Sequence, residues 1–497
     1  VDIDNKYIKG SNLFRFTATE DFDTLQFDLF DNLSVDKVVY KGRDLPFHRE
    51  YNAVFVAFPR IIEKGKLDSF VVHYSGHPIQ ATRAPWDGGF DWKTDSNGKP
   101  FVATACQGLG ASVWWPNKDH QSDEVDSMLI SVSVPRGLTN VSNGRLVNQV
   151  QLENGYDRFD WKVVNPINNY NVAINIGDYI HFGESYAGEK GPLDIDYYIL
   201  RENDIPAKRE HLRHHVLQTV EALEHWYGPY PFYEDGYKIV ETAHLGMEHQ
   251  SSIAYGNKYL NGYLGNDRSG TGWGMKLDFI ITHESGHEWF GNNITAADPA
   301  DMWIQEAFTN YSEALVIEYF YGKEAGQIYL NGNRFTIQND YPIQGPYDVN
   351  DTGSSDMYNK GGVMLNILRT ILQDDEKWRS ILRGLNQKFY HKQVDYHDIV
   401  NYINAATQHD FSKFFQQYVQ YSSLPILDIK FGKNGQVFAR WVSEVPDFDM
   451  PVHIGIKNGE KHLFHLTDRY QNIDFKELTK ENIDIDTFNY YIGVLLQ

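Results

Sequence analysis

A chain of 497 residues exceeds what one hydrophobic core serves, so two to four domains are expected. Hydrophobic residues at 41%, charged residues at 23% and aromatics at 14%, with 32 Tyr and 29 Phe, exclude a disordered chain and suffice for several packed cores. The 45 basic and 67 acidic residues leave a net charge of −22, which argues against nucleic acid as a partner, and no apolar run approaches the roughly 20 residues that cross a bilayer.

Cys106 is the only cysteine, so neither an intrachain disulfide nor a cysteine-based metal site can form. The start, "VDIDNKYIKG", has no initiator Met and no apolar signal segment. That fits a removed targeting segment or a trimmed start, with a lean towards a processed periplasmic or secreted protein.

Residues 1–200 read as β. Alternating runs such as "DTLQFDLF", "NAVFVAF", "DSFVVHY", "SMLISVSV" and "RFDWKVV" are separated by turns such as "PRG" and "SNGR". Helical periodicity begins near Pro206, where "PAKREHLRHHVLQTVEALEHWYG" puts Leu212, Val216, Val220 and Leu223 on one stripe until "GPYPF" breaks it. The histidines in that stretch, His211, His214 and His215, read as a solvated helix face rather than a metal site. Further helices are expected over 275–290, 302–321, 360–372 and 397–405, and another over "FSKFFQQYVQ". Short strands return after "SSLPIL", in "LDIKFG", "QVFARWV", "VHIGIK" and "YYIGVLL". The expectation is a multidomain α+β protein: a β domain over 1–200, a mostly helical domain over 201–423 and a small β domain over 424–497.

The chemistry is concentrated in "ITHESGHEWFGN", which contains His283, Glu284 and His287. On a helix, positions i and i+4 share a face, so the two imidazoles can point at one ion. Glu284 is turned about 100° from His283, towards where a water beside that ion would sit. Gly286 costs a helix interior about 1 kcal/mol relative to Ala, and a purely structural helix gains nothing obvious from it. A catalytic zinc needs a third protein ligand and an open fourth position. Glu306 lies 306 − 287 = 19 positions after the second histidine, in "DMWIQEAFTNYSEAL", which reads as an amphipathic helix. It would complete a His₂Glu set.

"HESGHEWFGNNIT" followed by "EAFTNYSE" resembles the aminopeptidase N and leukotriene hydrolase family of gluzincin zinc metallopeptidases. Trp289, Phe290, Gly291 and Asn292 match the run after the zinc helix, and Tyr311 and Glu313 match the Tyr-x-Glu that follows the third ligand. Ala307 departs from the family's usual Gly. "HLGMEHQ" resembles the Gly-x-Met-Glu-Asn signature, which places Gly246, Met247 and Glu248 at the substrate and makes Glu248 the carboxylate for its free α-amine. Leu245 and His249 depart from that signature at its two ends. "DMYNKGGVMLNILR" resembles the Tyr-x-Lys-Gly segment, which makes Tyr358 the oxyanion donor. "ACQGLGASVWWPNKDH" looks like the segment that supplies a substrate-binding Gln, here Gln107.

The resemblance runs from about residue 10 to the end. It implies an N-terminal β saddle domain, a thermolysin-like helical catalytic domain and a small C-terminal β sandwich. It also implies one Zn²⁺ per chain, and a form without the large C-terminal helical domain of many relatives, hence a more open site. The implied protein is a monomeric zinc aminopeptidase acting on peptides with a free N-terminus, with no nucleic acid partner and no membrane span. Glu284 would be its general base. An endopeptidase, an epoxide hydrolase of the leukotriene type and a catalytically dead binding scaffold are the alternatives. The last would be expected to have lost a ligand or the base, and the sequence retains all of them.

Overall fold

The computed structural model describes residues 1–432, 435–475 and 477–497. Contacts divide the chain into two units, Val1–Arg213 with Phe232–Tyr259 and His214–Pro231 with Leu260–Gln497.

The regular structure of the first unit is nearly all strand, as the alternating runs predict. Strand Ile8–Thr17 pairs antiparallel with Leu67–Gly76, and Phe14 lies opposite Phe70 with the rings stacked at 4.8 Å. Every second side chain on such a strand points inward, and these inward residues join one core that includes Phe27, Val54, Val56, Val72, Val102, Trp114 and Trp161. The sheet that matters for the site has five strands, in the order Tyr179–Gly188, Gly191–Leu200, Tyr237–Glu241, Ile253–Tyr255, Gly246–Met247. Its central pairings are parallel, and the two-residue strand Gly246–Met247 closes one edge antiparallel to its neighbour.

Helix α1 (Pro206–Tyr227) contains the boundary between the units at 213/214. Its stripe is as expected: Leu212, Val216, Val220 and Leu223 are buried. The histidine cluster needs correcting. His214 is exposed, but His215 is buried and accepts the backbone N–H of Asp278 on Nδ1 at 3.2 Å. Its ring anchors another segment and is not a solvated face.

The second unit continues with α2 (Phe279–Gly286), α3 (Met302–Tyr321), α4 (Lys323–Gly332), α5 (Asn359–Leu372), α6 (Asp375–Lys388), α7 (Tyr396–Thr407) and α8 (Ser412–Gln420). Helix α3 has the expected bounds but is not amphipathic: every residue from Met302 to Ile317 is buried. The helix expected over 275–290 is shorter than its periodicity suggested. Asp278 caps α2 by accepting from the N–H of Ile281, and beyond Gly286 the chain tightens into turns. Helices α4 and α6 were not read from the sequence. The last part of the chain forms a four-stranded sheet around Ile426–Phe431 and Val437–Val442 and a three-stranded sheet around Met450–Ile456. Among the described residues no helix is long and apolar enough to cross a membrane.

Candidate functional site

In the second unit, α2 and α3 pack so closely that a Cβ on Gly286 would stand 2.6 Å from Ser312 Oγ. The glycine therefore has a packing reason, which the sequence did not suggest. It lets α2 and α3 meet, and candidate ligand atoms of His283, His287 and Glu306 gather within 4.8 Å of one another. Glu306 Oε2 lies 3.6 Å from His283 Nε2 and 3.4 Å from His287 Nε2. These separations are too long for hydrogen bonds, and Oε2 is buried without a hydrogen-bond partner among the described residues. Ligand atoms roughly 2.0–2.1 Å from one tetrahedral ion stand about 3.3 Å apart, so the spacing suits a shared zinc.

The partners of the two Nδ1 atoms agree with that assignment. His283 Nδ1 faces Glu313 Oε1 at 2.8 Å, and His287 Nδ1 faces the carbonyl of Phe290 at 3.0 Å. A carboxylate or carbonyl partner puts the proton on Nδ1 and turns the Nε2 lone pair towards the ion. Gly291 makes the second contact possible. Its φ is +140°, and a Cβ there would stand 3.1 Å from His287 Nδ1. Burial alone would raise the Glu306 carboxyl, but the facing His287 and His283 rings bring it down to about 2. Burial opposes charge on His283, yet Glu306 and Glu313 raise its pKa well above the ordinary histidine value. Carboxylates that draw a proton to this ring would draw a cation as well.

Glu284 is buried on α2, with a carboxylate oxygen within 4.8 Å of a His287 ring nitrogen. Tyr358 precedes α5 and lies nearly parallel to the His283 ring, 27° between planes and 5.9 Å between centroids. The Lys-Gly after it sets that position. Lys360 Nζ donates to the carbonyls of Tyr421 and Ser422, and Gly361 lies so close to Ala307 that a Cβ would stand 2.5 Å from the Ala307 Cβ. The methyl that departs from the family is thus accommodated by a glycine on the facing helix.

In the first unit, Glu248 follows the edge strand Gly246–Met247 and is buried. Gln107 Nε2 donates to Glu248 Oε1 at 2.7 Å, and Tyr170 OH donates to the same oxygen at 3.1 Å. Nothing in the spacing of Tyr170 separates it from the 31 other tyrosines. The candidate residues fall in both units: His283, His287 and Glu306 with Glu284 and Tyr358 in the second, and Glu248 with Gln107, Gly246 and Met247 in the first.

His244 and His249 flank Glu248, both fully buried, with no hydrogen-bond partner on any ring nitrogen among the described residues. Burial lowers His244 to about 4, and burial followed by His244 lowers His249 to about 3. Both are neutral when folded, whereas in the unfolded chain they titrate near 6.5. As pH falls below that value the unfolded chain takes up protons that the folded one refuses. Stability is therefore full above the unfolded value and is lost as pH falls towards the folded ones. The expected loss between about pH 7 and about pH 5 is about 2 kcal/mol per imidazole. Thermal unfolding of chelator-treated protein at the two pH values checks this, and His249→Asn should remove roughly half of the dependence. A midpoint that does not move with pH would mean the rings reach solvent.

Residues 214–418 match the peptidase family M1 domain. Endoplasmic reticulum aminopeptidase 1 of Mus musculus is 24% identical over 315 residues, 61% of this chain and 33% of that protein. Aminopeptidase N of Lactobacillus helveticus is 26% identical over 232 residues, 41% of this chain and 26% of that protein. The chain thus spans about a third or less of the length of these relatives. The crystal structure of a mutant M1 zinc metallopeptidase from Deinococcus radiodurans, bound to a Tyr-Ser-Ala substrate, shares the fold with a TM-score of 0.69 at 18% identity, covering 84% of this chain and 91% of that one. The matched stretch of sequence holds His283, Glu284, His287, Glu306 and Tyr358, and with it the chain carries a peptidase family M1 domain.

Proposed function

We propose that the chain is a monomeric zinc aminopeptidase that removes residues from the free N-terminus of peptides, with functional parts at 1–200, 201–423 and 424–497. The observation that carries the zinc reading is the orphaned, buried Glu306 Oε2 facing two imidazoles whose Nδ1 atoms are already engaged. The aminopeptidase names of the relatives, and the tripeptide bound to the Deinococcus radiodurans protein, support a peptide substrate.

Zinc, when bound by His283, His287 and Glu306, supplies Lewis acidity that lowers the pKa of a coordinated water and polarises a carbonyl. Glu284 accepts the proton of the attacking water and passes it to the leaving nitrogen. Tyr358 donates its hydroxyl to the oxygen on which negative charge develops. The edge strand Gly246–Met247 offers main-chain groups to an extended peptide. Glu248 accepts hydrogen bonds from the substrate ammonium, while Gln107 and Tyr170 hold its carboxylate in place. An internal peptide bond has no ammonium to offer, and this is what separates an exopeptidase from an endopeptidase. The net charge of −22 favours approach of cationic termini.

The test is a panel of aminoacyl chromogenic amides and their N-acetylated forms, with and without chelator. A charge-assisted hydrogen bond to a desolvated carboxylate is worth about 1.5–3 kcal/mol. Glu248→Ala should therefore lower kcat/KM for free-amine substrates by at least about 10-fold. Part of that loss should appear in kcat, because the same contact orients the scissile carbonyl. Acetylated substrates should be poor for the wild type and no poorer for the variant. Equal cleavage of free and acetylated substrates by the wild type would end the exopeptidase reading while leaving the zinc chemistry standing.

A further inference from the structure

We propose that Tyr329 is a positioning residue of the metal site, acting through Glu313 to fix the His283 imidazole. The inference rests on the zinc reading of His283, His287 and Glu306. Glu313 is fully buried and uses its two oxygens in two directions: Oε1 accepts from His283 Nδ1 at 2.8 Å and Oε2 accepts from Tyr329 OH at 2.6 Å. Tyr329 is itself buried. Burial and then the Glu313 carboxylate keep its phenol far above the ordinary tyrosine range, so it remains a donor.

The packing that creates this contact is specific. Helix α4 lies against α3 so closely that a Cβ on Gly326 would stand 2.6 Å from the carbonyl oxygen of Ala314, the residue after Glu313. Three positions after Gly326, one helical turn on, Tyr329 reaches the carboxylate. A carboxylate held by one bond can rotate about its side-chain torsions, and the imidazole it accepts from can follow. A carboxylate held at both oxygens inside a packed core cannot. Fixing the ring this way sets both the direction of the Nε2 lone pair and the tautomer that exposes it. The phenol touches neither metal nor substrate, so its effect should appear first in metal affinity.

The experiment measures zinc affinity by competition with a chromogenic chelator for the wild type, Tyr329→Phe, Glu313→Gln and the double variant, with His283→Ala as control. Wild-type binding that His283→Ala abolishes checks the zinc reading independently of the relay. Removing an outer partner of a metal-bound histidine costs about 10–100-fold in affinity, and a residue one step further out belongs at the low end. Tyr329→Phe is therefore expected to weaken zinc binding about 10-fold. Because Tyr329 acts only through Glu313, the double variant should bind no more weakly than Glu313→Gln alone. A lowered thermal midpoint with unchanged zinc affinity would mark a purely structural tyrosine and overturn the proposal. So would losses that add in the double variant.

Discussion

Replacing Glu284 by Gln is expected to leave zinc content near one ion per chain while turnover falls by at least about 10². The amide has the size of the carboxylate and Glu284 is buried, so the substitution changes proton affinity far more than shape. Both candidate ligand histidines are oriented by groups other than Glu284: His283 by Glu313, and His287 by the Phe290 carbonyl. Metal should therefore stay. What goes is the acceptor for the attacking water's proton and, later, its delivery to the leaving nitrogen, so both kcat and kcat/KM should drop while KM changes little. Metal analysis of the purified variant beside its steady-state kinetics decides the matter. An apoprotein would mean that Glu284 helps to hold the ion. Metal-replete protein with wild-type turnover would take the base role away from it.

The site was legible in the sequence where its chemistry depends on local spacing. His283 and His287 come together because i and i+4 share a helix face, and Glu306, 306 − 287 = 19 positions further on, stands beside them from α3. Other features depend on contacts between distant segments, which leave no periodic trace. Gly286 has no structural use in its own helix; its use lies in the close approach of Ser312 from α3. Tyr170 and Tyr329 are set by tertiary packing alone, one from a short turn in the β unit and one from α4. His215 sits on the same helix as the exposed His214, and only the position of Asp278 shows that it faces inward.

The fold divides in the same way. The alternating runs predict strands, and the bounds of α3 are those of its apolar pattern. Yet α3 is buried on all sides as far as Ile317, so its polar residues belong to the interior rather than to a wet face. Glu306, Glu313 and Tyr311 lie on that one buried helix with separate tasks. Glu306 faces the imidazoles, Glu313 holds one of them, and Tyr311 OH receives Trp378 Nε1 from α6 at 3.2 Å. The order of the five-stranded sheet, with parallel pairs at its centre and Gly246–Met247 at its edge, could not be read from strand patterns. Strand order is decided by pairing over long separations rather than by any run of residues.

Glu306→Ala should have the opposite signature to Glu284→Gln: the ion is lost and activity goes with it. Removing the carboxylate turns a three-ligand set into a two-ligand one and takes away the anionic donor facing both imidazoles. The loss in zinc affinity should exceed the roughly 10–100-fold that outer partners carry, so extensive dialysis should leave the variant metal-poor where the wild type remains loaded. The fold should survive. Glu306 Oε2 has no hydrogen-bond partner among the described residues, so its removal leaves no donor stranded through that atom. The remaining tie on each imidazole, through Nδ1, does not involve Glu306. Added zinc at high concentration should restore a small fraction of turnover, because Glu284 and Tyr358 are untouched. Metal content equal to wild type after dialysis would remove Glu306 from the ligand set. Metal loss accompanied by a collapse of the thermal midpoint well beyond that of chelator-treated wild type would instead assign Glu306 to the core of the second unit.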